Sequence, residues 1–251
     1  MSFPNVSSWL TSTARSGLLL LALGAAAQPA LAQKKGKAAA TATASAIPQK
    51  FQPLYGGVTP AQAQQLVGAA MLADIDRSFT SRPEASKFFS QKGYEYLQEN
   101  QPDTAAVRFN LAWALDPKNA DTYRGLAVLI SQRPGTSPEA VQALLTQGLA
   151  LAPTNTALLG DAATNTLSRY EQTKKKKDLT QAADFAQRAL AADSTNAAAW
   201  QTQARIKYYQ EDYTGAWQAV HKGQNLNLSS LDFTFLTELL AKAPDPEGKF
   251  K

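Results

Sequence analysis

His221 is the one histidine of the chain, and there is no cysteine. A histidine metal cage, a Ser-His-Asp triad or a His-x-x-x-His helix therefore cannot be assembled within one chain, and no thiolate site, thiol nucleophile or disulfide is possible. Carboxylate pairs such as Glu211 with Asp212 and Asp184 near Asp193 remain. They fall at turns or on solvated helix faces, where capping and loop roles are expected rather than general acid–base work. Gly56-Gly57 precedes a helix start but lacks the lysine and the preceding strand of a phosphate-cradling loop. No catalytic constellation is present, so the chain reads as a non-enzyme with no implied cofactor or metal. His221 itself is expected to be an ordinary exposed or half-buried imidazole on an outer helix.

What is left for chemistry is binding. The run Lys174, Lys175, Lys176 and Lys177 reads in one way as an electropositive knob for an anionic envelope polymer, a lipid headgroup or an acidic protein. In the other it is a solvated loop that keeps two helices apart and the chain soluble. Net charge narrows the field. The formal charge is +5, yet five of the 25 basic residues precede residue 57 and none of the 20 acidic ones does, which leaves 20 of each in residues 57–251. The basic excess sits in the N-terminal segment, so a nucleic-acid-binding domain is not expected.

The elements that would position a binding surface are legible in residue size. Phe89, Gly93 and Tyr96 are spaced three and four apart, as are Ala105, Phe109 and Ala112, and each set makes one stripe on a helix. The small residues allow close approach of the helix axes, and the aromatics fill the spaces between neighbouring pairs. Burying each aromatic stabilises by about 1.5–3 kcal/mol, but a lone pair of helices cannot cover both its apolar faces, so pairs must stack. Pro117 and Pro153 end the second helix of their pairs.

The spacing Phe89, Gly93, Tyr96, Ala105, Phe109, Ala112, Pro117 resembles the tetratricopeptide repeat, and it returns in degraded form three times. The four copies span 86–119, 120–155, 156–196 and 197–230. The second carries Tyr123, Leu126, Ala127 and Pro153; the third has extra residues around Lys174–Lys177; the fourth carries Trp200, Ala204, Ala216 and Gly223. The expected fold is all-α, a helix-turn-helix repeat solenoid.

In proteins of this family, the first helix of each pair lines a concave groove that holds an extended peptide or a partner protein. By register, the resemblance places there Lys87, Ser90, Gln91 and Tyr94, then Asp121, Arg124 and Val128, then Asp161 and Thr164, then Gln201, Arg205, Tyr208 and Tyr209. The arginines and tyrosines are candidate anchors, although Tyr94, Tyr208 and Tyr209 could equally pack on the next helix with their hydroxyls in water. Relatives that clamp a chaperone's C-terminal carboxylate need lysine and asparagine at inner positions where this chain has Ser90, Tyr94, Gly125, Ala157 and Asp161. That specificity is not expected.

Residues 1–32 read as a cleaved secretory signal peptide. Arg15 precedes an apolar run from Gly17 to Ala27, and Ala30-Leu31-Ala32 supplies a small-residue cleavage site. The run is shorter than the roughly 20 residues a membrane span needs, so no transmembrane segment is expected in the mature chain. Export to the periplasm or outside of a bacterium follows as an expectation. Residues 33–56 read as a flexible Lys/Ala/Thr-rich linker, 57–243 as the helical domain, and 244–251, with Pro244, Pro246 and Gly248, as a disordered tail. Capping helices are expected over about 60–75 and 230–241, the first starting at Thr59-Pro60 and the second capped by Ser229 or Ser230.

Overall fold

A computed structural model describes residues 47–251. The signal peptide and residues 33–46 of the linker lie outside the described residues. Every regular element described is helical: α1 Leu54–Gly57, a single turn; α2 Pro60–Val67; α3 Ala69–Ser78; α4 Arg82–Gln98; α5 Pro102–Leu115; α6 Ala120–Ser131; α7 Pro138–Leu151; α8 Thr156–Thr173; α9 Lys176–Ala192; α10 Ala197–Tyr209; α11 Tyr213–Leu226; and α12 Phe233–Leu240. Helices pair in sequence, α4 with α5, α6 with α7, α8 with α9 and α10 with α11. This is the all-α helix-hairpin repeat solenoid expected from the spacing.

Local chemistry explains each start. Asn119, Asn155 and Asn196 close successive copies and cap α6, α8 and α10, each accepting from a backbone N–H in the first turn. Proline opens α2, α5 and α7, where its missing N–H costs nothing. Thr59 and Gln62 form a reciprocal capping box on α2. Pro117 and Pro153 fall just beyond α5 and α7, as the stop signals require.

Phe109 of α5 shows why the small residues are small. Its ring is fully buried between Gly93 of α4 and Gly125 of α6. A Cβ at Gly93 would stand 2.6 Å from the ring, and one at Gly125 would stand 2.1 Å from it. The buried core falls into three clusters. A central one runs from Tyr55 and Ala63 to Ile206 of α10, an N-terminal one joins Ile75, Phe89 and Leu111, and a C-terminal one gathers Trp217, Val220, Phe235 and Leu239 around Ala204.

Several expectations are corrected at the edges of this frame. The N-terminal cap is two helices, because Gly68, at φ 88°, breaks the chain between α2 and α3. Asp232 caps the final helix, accepting from the Phe235 N–H. The insertion at Lys174–Lys177 is mostly helix: only Lys174, in the left-handed region, and Lys175 separate α8 from α9, consistent with lysine's good helix propensity. Residues 47–56 of the linker are not free, since Asn110 donates to the carbonyls of Lys50 and Gln52, and Tyr55 is buried.

The tail is ordered as well, and His221 is its anchor. His221 is 4% exposed, and its Nε2–H donates to Asp245 Oδ1 at 2.8 Å. The same carboxylate accepts from the backbone N–H groups of Glu247, Lys249 and Phe250. Phe250, His221 and Trp217 stack in one layer, and Trp217 Nε1 donates to Ala243 O. The tail thus closes the end of the C-terminal cluster.

Candidate binding groove

The first helices α4, α6, α8 and α10 form one row, in which α4 also touches α6 and α8 touches α10. Polar side chains link this row from copy to copy. Ser90 and Thr122 share a buried hydroxyl contact at 2.9 Å, Tyr94 donates to the carbonyl of Asp121 at 3.1 Å, and Arg124 Nε reaches Asp161 Oδ2 at 2.7 Å. Farther along, Thr164 meets Thr202, and Tyr209 donates to Glu171 Oε1 at 2.9 Å. Arg205 is held by Glu171 and by Asp232 at the start of the last helix.

Tyr94, Arg124, Arg205 and Tyr209 are therefore brought onto one seam, but each is already engaged. Tyr94 packs edge-on against Phe109 and lies under the Arg124 guanidinium; burial pushes its hydroxyl up to about 12. Burial also raises the Asp161 carboxyl against the opposing pull of Arg124. About a third of each side chain in that pair remains exposed, 30% for Arg124 and 32% for Asp161, so a ligand can reach both. Tyr209 is pushed up to about 12 by burial and then by the neighbouring Glu171.

Tyr208 is the candidate that departs from the seam. Its ring packs against Phe235, Tyr209 and Tyr213, so it belongs to the joint with the last helix. Gln201 departs too, its amide lying against Gly223 of α11. Lys87 is exposed on α4, and Val128 is half-buried on α6.

Beside Asp161 the seam deepens into a cleft of about 380 Å³. Val128 and Ser131 of α6, Val141 and Leu145 of α7, and Thr164, Asn165 and Ser168 of α8 line it. Asn165 is oriented by donating to Pro138 O and Gln142 Oε1, both at 2.9 Å. Apolar floor and polar rim together suit one peptide side chain with its flanking backbone. Sequence reasoning missed this cleft, because its walls come from three helices of two copies. Ser131 and Ser168, one turn beyond the expected positions Val128 and Thr164, were the available signal.

The lysine run is split by the helix boundary. Lys174 lies over the rings of Tyr170 and Tyr209 at 5.4 and 5.2 Å, next to the groove, while Lys175, Lys176 and Lys177 are exposed. Asp178 is buried beneath them and accepts from Arg169 and Thr173. Among the described residues, no group of three histidines or carboxylates is placed to hold a metal ion. Among the same residues, no helix is long and apolar enough to cross a membrane.

No family model and no curated protein matches the chain. Among solved structures it is similar to a crystal structure of MamA protein, with 16% identity, a TM-score of 0.45, and coverage of 63% of this chain and 92% of that one. It is similar also to a MamA RS-1 ArsTM double mutant, at 12% identity and a TM-score of 0.47, over 63% of this chain and 92% of that one. Pseudomonas aeruginosa pilF gives 20% identity and a TM-score of 0.34, over 66% of this chain and 88% of that one. The repeat architecture rests on the helix pairing described above.

Proposed function

We propose that this chain is an exported adaptor that holds a protein partner, or an extended segment of one, along its first-helix row and carries out no reaction. The observation that carries this reading is the continuous seam from Tyr94 through Arg124–Asp161 to Arg205, with the cleft of about 380 Å³ opening beside Asp161. Charged side chains already fixed by partners present their remaining donors and acceptors without further ordering cost, which favours a defined contact over a diffuse one. Export rests on the N-terminal sequence pattern alone.

The test is crosslinking and affinity purification of the mature protein from its own cell envelope, beside a variant with Tyr94, Arg124 and Arg205 replaced by alanine. The variant is expected to lose the captured partner and to stay folded at a lowered melting temperature, since the two partly exposed ion pairs contribute only about 1 kcal/mol each and Tyr94→Ala removes one aromatic contact with Phe109. Equal capture by both proteins, abolished by raised salt, would move the function to the exposed lysines at 175–177 and to a polymer or membrane surface.

A further inference from the structure

The cleft beside Asp161 selects among side chains by charge. Among the residues that line it there is no lysine, arginine or histidine, and Asp161 is the one charged group. Its polar wall offers acceptors. Asn165 spends both amide hydrogens on Pro138 O and Gln142 Oε1, which fixes the nitrogen end of the amide and leaves Oδ1 without a partner among the described residues. Ser131 donates its hydroxyl hydrogen to Val128 O, so its oxygen can only accept from a ligand. Arg124, resting on the Tyr94 ring, takes Oδ2 of Asp161 at 2.7 Å. The other oxygen, Oδ1, has no partner among the described residues.

Asp161 and Asn165 stand one turn apart on α8 and so share a face. Burial raises the Asp161 carboxyl in spite of Arg124. A single guanidinium therefore leaves the carboxylate under-compensated, and a second cation at Oδ1 would stabilise its charged form. Beneath these oxygens the floor is apolar, formed by Val128, Val141 and Leu145. A compact ion would leave that floor uncovered, and an acidic side chain would meet a carboxylate and no cation.

We propose that the cleft is a subsite for a lysine side chain of the partner, with its stem on Val128, Val141 and Leu145 and its ammonium on Asp161 Oδ1, Asn165 Oδ1 and Ser131 Oγ. The partner as the source of that lysine rests on the adaptor reading above. Lysine buries an apolar stem while keeping a polar head, and its three N–H donors match three acceptors. Arginine fits less well, because its fork is best met by both oxygens of one carboxylate and Arg124 already holds one of them. A volume of about 380 Å³ lies near the lower end of ligand clefts, about 300 Å³, as one long side chain requires.

The probes are acetyl-Gly-Lys-Gly amide and its counterparts with norleucine or arginine at the centre. Each is titrated into the full chain and followed by NMR at the backbone amides of Asp161 and Asn165 and at the Asn165 side-chain amide. The lysine peptide is expected to bind in the millimolar range and about tenfold tighter than the norleucine peptide, the equivalent of one net hydrogen bond, with arginine between them. Asp161→Asn, checked for an unchanged helical spectrum, should bring lysine to the norleucine value and leave norleucine as it was. The proposal is overturned if norleucine or arginine binds as tightly as lysine, if Asp161→Asn keeps the lysine preference, or if no peptide moves the Asn165 signals at tens of millimolar. The two readings fail separately. Capture of an envelope protein that Asp161→Asn leaves undiminished would remove the lysine subsite and leave the adaptor. Capture of nothing by the wild type would remove the adaptor, while the lysine preference stands or falls on the titration.

Discussion

Replacing Phe109 by alanine is expected to destabilise the protein by about 3–5 kcal/mol, the cost of a large buried aromatic, and to lower the melting temperature by roughly 10 °C. The ring is fully buried where α4, α5 and α6 meet, and Gly93 and Gly125 leave the room it occupies. A sharper form of the same prediction is a double-mutant cycle with Gly125→Ala. Alone, that change drives a Cβ to 2.1 Å from the ring and should cost about 1–3 kcal/mol through forced repacking. In the Phe109→Ala background the new methyl enters vacated space, and alanine gains about 1 kcal/mol of helix propensity over glycine. The second change should then be neutral or stabilising. Additive losses in thermal or urea unfolding would show that the ring does not set the distance between the pairs.

The second large effect lies at the other end. Asp245→Ala removes the acceptor for His221 and for three backbone N–H groups at once. The expected cost is about 2–3 kcal/mol, because the donors left behind are partly buried and unmatched. Burial works to raise the Asp245 carboxyl, but the backbone N–H groups of Phe250 and Glu247, together with His221, outweigh it and hold it below the usual carboxylate range. A folded-state value below the unfolded one means that the contribution is fully present above about pH 4 and is lost as pH falls through the lower folded value. Amide exchange at Glu247, Lys249 and Phe250 should therefore be slow at pH 7 and accelerate selectively in strong acid. Asp245→Asn should abolish that step. If the three amides exchange alike in wild type and Asp245→Asn at pH 7, the carboxylate does not hold the tail.

What the residues revealed before the fold was known follows a physical division. Phe89, Gly93, Phe109 and Ala112 announced α4 and α5 because helix packing stores its distances in side-chain size at fixed local spacing. The family resemblance, carried along that register, placed Tyr94, Arg124, Asp161 and Arg205 on one row. Tyr208 escaped it because its neighbour, Phe235, lies on a helix outside the repeat register. The two segments read as unstructured were missed for a different reason. Residues 47–56 and 244–251 carry prolines, glycines and little periodicity, and each is held by polar side chains acting at long range. Asn110 lies 60 positions from Lys50, and His221 lies 24 from Asp245. A buried amide or carboxylate that meets backbone groups leaves no repeating signal in the segment it holds.

The division of the core into three clusters has a mechanical consequence. The clusters meet at helices used as shared walls: Phe109 and Leu111 of α5 face different clusters, as do Tyr94 and Phe89 of α4 and, at the other junction, Ala204 and Ile206 of α10. Pulling or heating such a chain loads one wall at a time, so the ends can unzip as separate cooperative blocks while the central one stands. A force applied through the C-terminus would be dissipated in the last block before it reached the helices that carry Arg124 and Asp161, whereas one applied through residues 50–55, which Asn110, Arg133 and the central cluster hold, would load the central block directly.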